Sequence, residues 1–219
     1  MATSTDIPLD LNIHFSTDPE PKQLKRKEPF ESIRQLGLKN NPAADYTEAI
    51  KDKASISNAI TSRIKNKAIS SKNAYRLYQN IWLPKMQYAL AATSFSKTAC
   101  VKIMKPFVRA ILPKMGFNRN TTQAIIFGSK KYGGFQFAHL YVEQGYLAIK
   151  HLLGHLREET ITGNQIMIAL SYVQLVAGSG APFLSEVKEN RSYVLDSWLG
   201  HLRTFLSQCK GKITIPHAW

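Results

Sequence analysis

The chain has 219 residues, 44% of them hydrophobic, with 29 lysines and arginines against 15 aspartates and glutamates, a net charge of +14. That apolar share excludes a wholly disordered chain, and two cysteines 109 positions apart exclude a disulfide framework or a zinc-finger spacing. The charge is concentrated: residues 53–142 hold fifteen cations and no acid, while the flanks are close to neutral. Such a one-sign block repels itself, and the commonest partner that relieves it is a polyanion, most often nucleic acid, whose phosphates stand in for the missing carboxylates.

In chain order, residues 1–28 are polar and proline-bearing and are expected to form a flexible leader. Their basic cluster Lys25–Lys27 would suit nuclear import, and no apolar run after Met1 suggests secretion, so an intracellular placement is expected. Residues 30–38 (FESIRQLGL) are predicted to form a short strand or turn. Ile50, Ile56, Ile60 and Ile64 predict a first helix over 44–66, with Asp45 and Asp52 on its surface and engaged in salt bridges. Ser70 or Ser71 is expected to cap a second helix running to about Ala92 and kinked at Pro84, which cannot donate to the carbonyl four residues back.

The third helix, about 96–112, is the clearest. Val101, Met104, Val108, Ile111 and Leu112 form an apolar stripe, and Lys102, Lys105 and Arg109 form a cationic one on a different side. Pro106 is expected to kink or divide it. Residues 113–136 contain Pro113 and four glycines and predict an irregular connection bearing Lys114, Arg119, Lys130 and Lys131, interleaved with Phe117, Phe127 and Tyr132. Helices over about 138–157, 164–177 and 186–208 follow, the last with Leu195, Trp198, Leu199, Leu202, Phe205 and Leu206 on one side. The uncharged run Thr160–Ser185 is too short in its dense apolar part to span a bilayer and predicts a buried core helix. Gly211 is expected to stop the last helix, and Ile213–Pro216 to form an extended tail. Cys100 and Cys209 are both expected to be buried free thiols. The predicted fold class is therefore all-α, a helical bundle with a short irregular Gly/Pro-rich connection.

Little in the chain points to chemistry. His151 and His155 are spaced for one metal, but no carboxylate between them and no evident third ligand favours surface histidines. Neither a P-loop nor a Rossmann glycine pattern occurs, and no nucleophile stands in a recognisable context. A polymerase or nuclease needs carboxylates to hold divalent metal against phosphate, and the basic block has none. No catalysis, cofactor or metal is expected, and no membrane partner.

The segments LPKMQYALAATS (83–94), LPKMGFNRN (112–120), YGGFQFAHLYVEQG (132–145) and LLGHLR (152–157) together resemble the region downstream of the catalytic palm in retrotransposon-type reverse transcriptases, especially elements abundant in diatoms and other eukaryotic microbes. RQLGL (34–38) is similar to the LG-containing segment that closes their palm, and the resemblance spans roughly residues 31–219. It implies a palm-end segment and thumb-like helices over 29–112, the basic connection over 113–136 and a C-terminal helical region over 137–219. It also implies that the metal-holding aspartates would lie upstream of Met1, leaving a nucleic-acid-binding remnant of an RNA-directed DNA polymerase. Such a remnant would grip the backbone of an RNA–DNA or RNA duplex without polymerising. The resemblance carries that grip onto Lys85, Lys114, Asn118, Arg119, Lys130 and Tyr132, and the charge pattern adds Lys102, Lys105, Arg109 and Lys131. Two rival readings are an independent basic helical adaptor for RNA or an acidic protein, and an enzyme with an unrecognised site.

Overall fold

The computed structural model describes residues 11–13, 22–24, 31–35, 38–40, 44–178, 180, 182–185 and 197–215. The chain divides into two compact units, Met1–Asp45 and Tyr46–Trp219. In the first, β1 (Leu11–Ile13) pairs antiparallel with β2 (Lys22–Leu24), Asn12 opposite Gln23. The expected leader thus contains a hairpin that its polar composition does not announce; Lys25–Lys27 lie outside the described residues. β3 (Ile33–Gln35) and β4 (Leu38–Asn40) also pair antiparallel, Gln35 opposite Leu38, so FESIRQLGL holds one strand and opens a second.

The second unit is all-α. Its α1 (Thr47–Lys65) buries Ala49, Lys53, Ser57, Ile60 and Ile64. This stripe differs from the expected one: Ile50 and Ile56 flank it, and two polar residues occupy its middle. Asp45 precedes the helix rather than lying on it, because Ala44 takes a left-handed φ of 56° and Tyr46 occupies the cap position. The expected pairing of Asp45 and Asp52 on one helical face therefore does not arise.

Ser70 caps α2 (Ser71–Leu77), its hydroxyl accepting from the Asn73 amide at 3.4 Å. Helical backbone then continues through one π turn, Tyr78–Trp82, into α3 (Leu83–Leu90). The widened turn answers Pro84: the Leu83 amide reaches the Tyr78 carbonyl five residues back, making room for a ring that would clash in a regular helix. The turn also points Tyr78 and Trp82 both inward, where they are buried.

α4 (Lys97–Ile111) starts at the Ser96 cap and is not divided at Pro106. Lys102, whose carbonyl loses its helical partner to the proline, is exposed, so water can serve it. A 3-10 turn (Leu112–Met115), α5 (Gln123–Phe127) and a second 3-10 turn (Lys130–Tyr132) give the expected connection more local order than its glycines suggest. Then follow α6 (Leu140–Arg157), α7 (Ile161–Ala177) and α8 (Trp198–Gln208).

Two cores share α6. The first packs α1, the α2–α3 segment and α4 around Trp82, Phe107 and Met86 and takes in Leu140 from the start of α6. The second gathers Ala148 and Leu152 of α6 with Leu170 and Val173 of α7, Phe183, Leu184, and Leu199, Leu202 and Leu206 of α8. Between them Gln144 is buried, its amide accepting from the Phe95 N–H at 2.9 Å and donating to the Phe95 carbonyl at 3.1 Å. α6 and α8 approach so closely at Gly145 that a Cβ there would sit 2.3 Å from the Phe205 ring.

Several C-terminal expectations change. The last helix does not run from 186: Ser197 is extended and caps the amide of Gly200, so α8 begins at Trp198. Residues 186–196, with Leu195, lie outside the described residues. α7 is not a buried core helix, since Ile161, Ile168, Tyr172 and Leu175 form an exposed apolar stripe. Cys100 is buried but Cys209 is exposed, at the end of α8 past its last packed turn. Ile213 and Ile215 pack back on the second core.

Gly211 is not the left-handed residue that stops α8; Lys210 is, at φ 53°. The Gly211 amide bonds to the Leu206 carbonyl and the Lys210 amide to that of Ser207, the paired bonds of a Schellman turn. Lys210→Gly is therefore expected to raise stability by about 0.5–1 kcal/mol, relief of the left-handed strain outweighing the extra chain entropy of glycine. Urea unfolding of the two proteins checks it, and a loss of stability would contradict it.

The buried phenol of Tyr78 sets a pH limit. Burial pushes it up to about 12, partly offset by the Ala138 amide that donates to its oxygen at 2.6 Å. Because the folded state holds the proton more tightly, this stability is fully present below about pH 10 and is lost as pH rises towards about 12. The expected loss is about 1 kcal/mol by pH 11 and about 2 kcal/mol by pH 12. Burial likewise pushes the Cys100 thiol up to about 12, with the same sign. Lys53 acts oppositely, since burial lowers it and stability gains as it deprotonates. Comparing wild type with Tyr78→Phe in urea from pH 8 to 11 isolates the phenol, and parallel pH curves would refute the assignment.

Candidate nucleic-acid interface

Of the fifteen cations between 53 and 142, thirteen are exposed, Lys114 is half-buried and Lys53 is buried. None of them pairs with a carboxylate among the described residues. Lys53 leaves the cationic surface altogether. It lies on the inner stripe of α1, donates to the Lys85 carbonyl at 2.9 Å and sits 5.9 Å from the Tyr88 ring centroid. Burial lowers its pKa, with Asp52 opposing the shift.

The remaining cations fall into groups. Lys102, Lys105 and Arg109 line the exposed side of α4 as expected; its buried side takes in Met104, Val108 and Ile111 of the expected stripe together with Cys100, Ile103 and Phe107, while Val101 is half-buried. Lys85 is exposed on α3, tied by its backbone to Lys53 of α1 rather than to the other expected contacts.

A second group forms at one end of the unit through three contacts that no local pattern encodes. Lys114 donates to the Lys67 carbonyl at 2.8 Å, joining the turn after α4 to the end of α1. α2 packs against that same turn. Lys130 donates to the Tyr75 hydroxyl at 2.9 Å and lies 4.8 Å over its ring, joining the second 3-10 turn to α2. Lys67, Lys72, Arg76, Lys114, Lys130 and Lys131 are thereby brought to connected elements, with Lys72 and Arg76 flanking Tyr75 on α2. The bonds do not neutralise Lys114 or Lys130, because both acceptors are uncharged and an ammonium keeps two further donors. The contact to a carbonyl just beyond a helix C-terminus is also the favoured place for a cation.

Asn118 is occupied in shaping its own loop: its side-chain oxygen accepts from the Asn120 amide at 2.8 Å and its carbonyl from the Thr121 hydroxyl at 2.7 Å. Arg119 beside it is exposed. Tyr132 is 83% exposed, with Lys131 5.7 Å from its ring centroid.

Lys67, Lys72 and Arg76 were legible only as members of the acid-free block. What assigns them a place is the pair of long-range lysine bonds, for which the sequence carries no signal.

The histidine pair has its rings 4.4 Å apart, with His155 Nδ1 2.8 Å from the Thr160 hydroxyl and His151 lowered by burial and by His155. Among the described residues no group of three or more metal-ligating side chains assembles, and no helix is long and apolar enough to cross a membrane. Comparison with known protein families, curated proteins and solved structures gives no match.

Proposed function

We propose that this chain holds nucleic acid by its phosphate backbone, and that it is reverse-transcriptase-like, with helices α1 to α4 serving as a thumb on an RNA–DNA or RNA duplex. The observation that carries the binding role is the connected end group of Lys67, Lys72, Arg76, Lys114, Lys130 and Lys131, in a block with no acid to pair with them. Six cations on packed elements act together on a polyanion, whereas isolated surface lysines contribute little each. The segments quoted above give the partner class, and the role is holding rather than bond-making. Contacts to phosphate fix register and orientation and read no sequence.

Binding of the purified chain to a short fluorescent RNA duplex at low salt tests the proposal. The double variants Lys72→Gln/Arg76→Gln and Lys130→Gln/Lys131→Gln should each weaken binding uniformly across sequences and lower the salt slope by about 2, about one per lost contact. Duplex binding no stronger than that of a neutral protein at low salt overturns it. The exposed, uncharged apolar stripe of α7 favours a second reading, a basic adaptor for an acidic protein. An adaptor would hold polyglutamate as tightly as a duplex of equal charge, and a backbone-binding module would not.

A further inference from the structure

We infer that Tyr132 is a stacking platform for an unpaired base, so that the interface prefers a duplex with a single-stranded extension over a blunt one. This rests on the nucleic-acid reading above and adds to it a choice of substrate.

The platform is built by a loop fastened at its base. Ser129 caps the turn Lys130–Tyr132, its hydroxyl accepting from the Lys131 amide at 3.3 Å, and Gly133 closes the turn with a left-handed φ of 80°. The amides of Gly134, Phe135, Gln136 and Phe137 then bond back to Ser129, Ile125, Gly128 and Ile126, so the chain returns along the end of α5 and the turn that follows it. At the crossing a Cβ on Gly134 would stand 2.1 Å from the Gly128 carbonyl oxygen, which only glycine avoids. Phe137 anchors the return in the first core, its ring 4.1 Å from that of Tyr78 and nearly parallel to it. A side chain on so short and fastened a turn loses little freedom on binding.

Tyr132 stands at the top of this loop. At 83% exposure it is the most open aromatic side chain among the described residues, and it makes no hydrogen bond among them. The cations on either side differ: Lys130 is drawn back onto Tyr75, while Lys131 reaches over the Tyr132 ring. Phe117, the other exposed aromatic of the basic connection, is already engaged, its ring 3.9 Å from Phe135. An exposed ring beside a cation is what an unpaired nucleotide needs, the ring taking the base and Lys131 its neighbouring phosphate. A blunt duplex offers no unstacked base within its length, so there the ring adds little to the backbone contacts.

The test compares a blunt RNA duplex with the same duplex carrying a 3′ single-stranded extension that contains 2-aminopurine. Tyr132→Ala should weaken binding to the extended probe by about 5- to 100-fold, the worth of one stacked base, weaken binding to the blunt duplex far less, and leave the salt slope on both unchanged. Tyr132→Phe should stay within about 3-fold of wild type, and quenching of the 2-aminopurine on binding should be lost in Tyr132→Ala only. Equal affinities of Tyr132→Ala and wild type for the extended probe, or an equal loss on both probes, overturn the inference while leaving backbone binding standing. If wild type binds neither probe, the nucleic-acid reading itself fails. An unchanged melting temperature in Tyr132→Ala keeps the comparison free of misfolding.

Discussion

Trp82→Ala is expected to lower the free energy of unfolding by about 3–5 kcal/mol, a third or more of what a domain of this size usually possesses. Trp82 is fully buried, and its ring lies 4.5 Å from that of Phe107 at an interplanar angle of 10° and 6.0 Å from that of Tyr78. Its indole N–H donates to the Ser57 hydroxyl at 3.1 Å, and that hydroxyl donates to the Ile103 carbonyl at 2.9 Å. One side chain thereby ties the π turn to α1 and α4, so alanine removes the largest apolar body of the first core and orphans a polar relay. The parts are separable. Trp82→Phe keeps most of the stack and forfeits the relay, for about 1–2 kcal/mol, while Ser57→Ala strands a buried indole N–H, for about 1–3 kcal/mol. The two changes share one bond, so their effects should not add. Urea denaturation of wild type, the three single variants and the Trp82→Phe/Ser57→Ala double variant measures this, and a Trp82→Ala loss below about 1 kcal/mol would mean that Trp82 is not the centre of the core.

The helices were legible where one residue type marked each face. α4 alternates apolar and cationic positions cleanly: its cations are exposed and Met104, Val108, Ile111 and Leu112 are buried as expected, although Val101 is half-buried and the buried face extends to Cys100, Ile103 and Phe107. α1 was legible in part: Ile60 and Ile64 are buried and Ile50 and Ile56 pack against the core, but the inner stripe also holds Lys53 and Ser57, polar residues whose burial depends on the Lys85 and Ile103 carbonyls of other helices. The π turn hid behind Pro84, because a proline announces a disturbed helix without saying whether it bends or widens. α7 was misread as buried because an uncharged apolar helix looks the same whether or not its outer face is covered. Lys210 took the left-handed position expected of Gly211, since the Schellman turn closes on the carbonyl of Leu206 and glycine falls one place beyond. For the candidate interface the sequence disclosed the charge but not its arrangement. The bonds of Lys114 to Lys67 and Lys130 to Tyr75 span 47 and 55 residues, beyond the reach of helical periodicity.

That arrangement fixes how binding should respond to salt. Each phosphate neutralised releases counterions, and the slope of log affinity against log salt is about −0.9 per contact on a duplex. If the six cations of the end group engage alone, the slope is about −5, and affinity falls about 10³-fold between 50 and 200 mM salt. If Lys102, Lys105 and Arg109 of α4 engage the same duplex, nine contacts give a slope near −8 and a loss of about 10⁵-fold. The three α4 cations are on a separate helix face with no bond to the end group among the described residues, so the smaller slope is the expected result. Neutralising all three to glutamine should then leave the slope near −5, whereas neutralising Lys72, Arg76, Lys130 and Lys131 should reduce it to about −2. A drop of about 3 on losing the α4 cations would instead place α4 on the duplex beside the end group. A slope indifferent to both sets would remove the end group from the interface, because counterion release counts engaged cations wherever they stand in the fold.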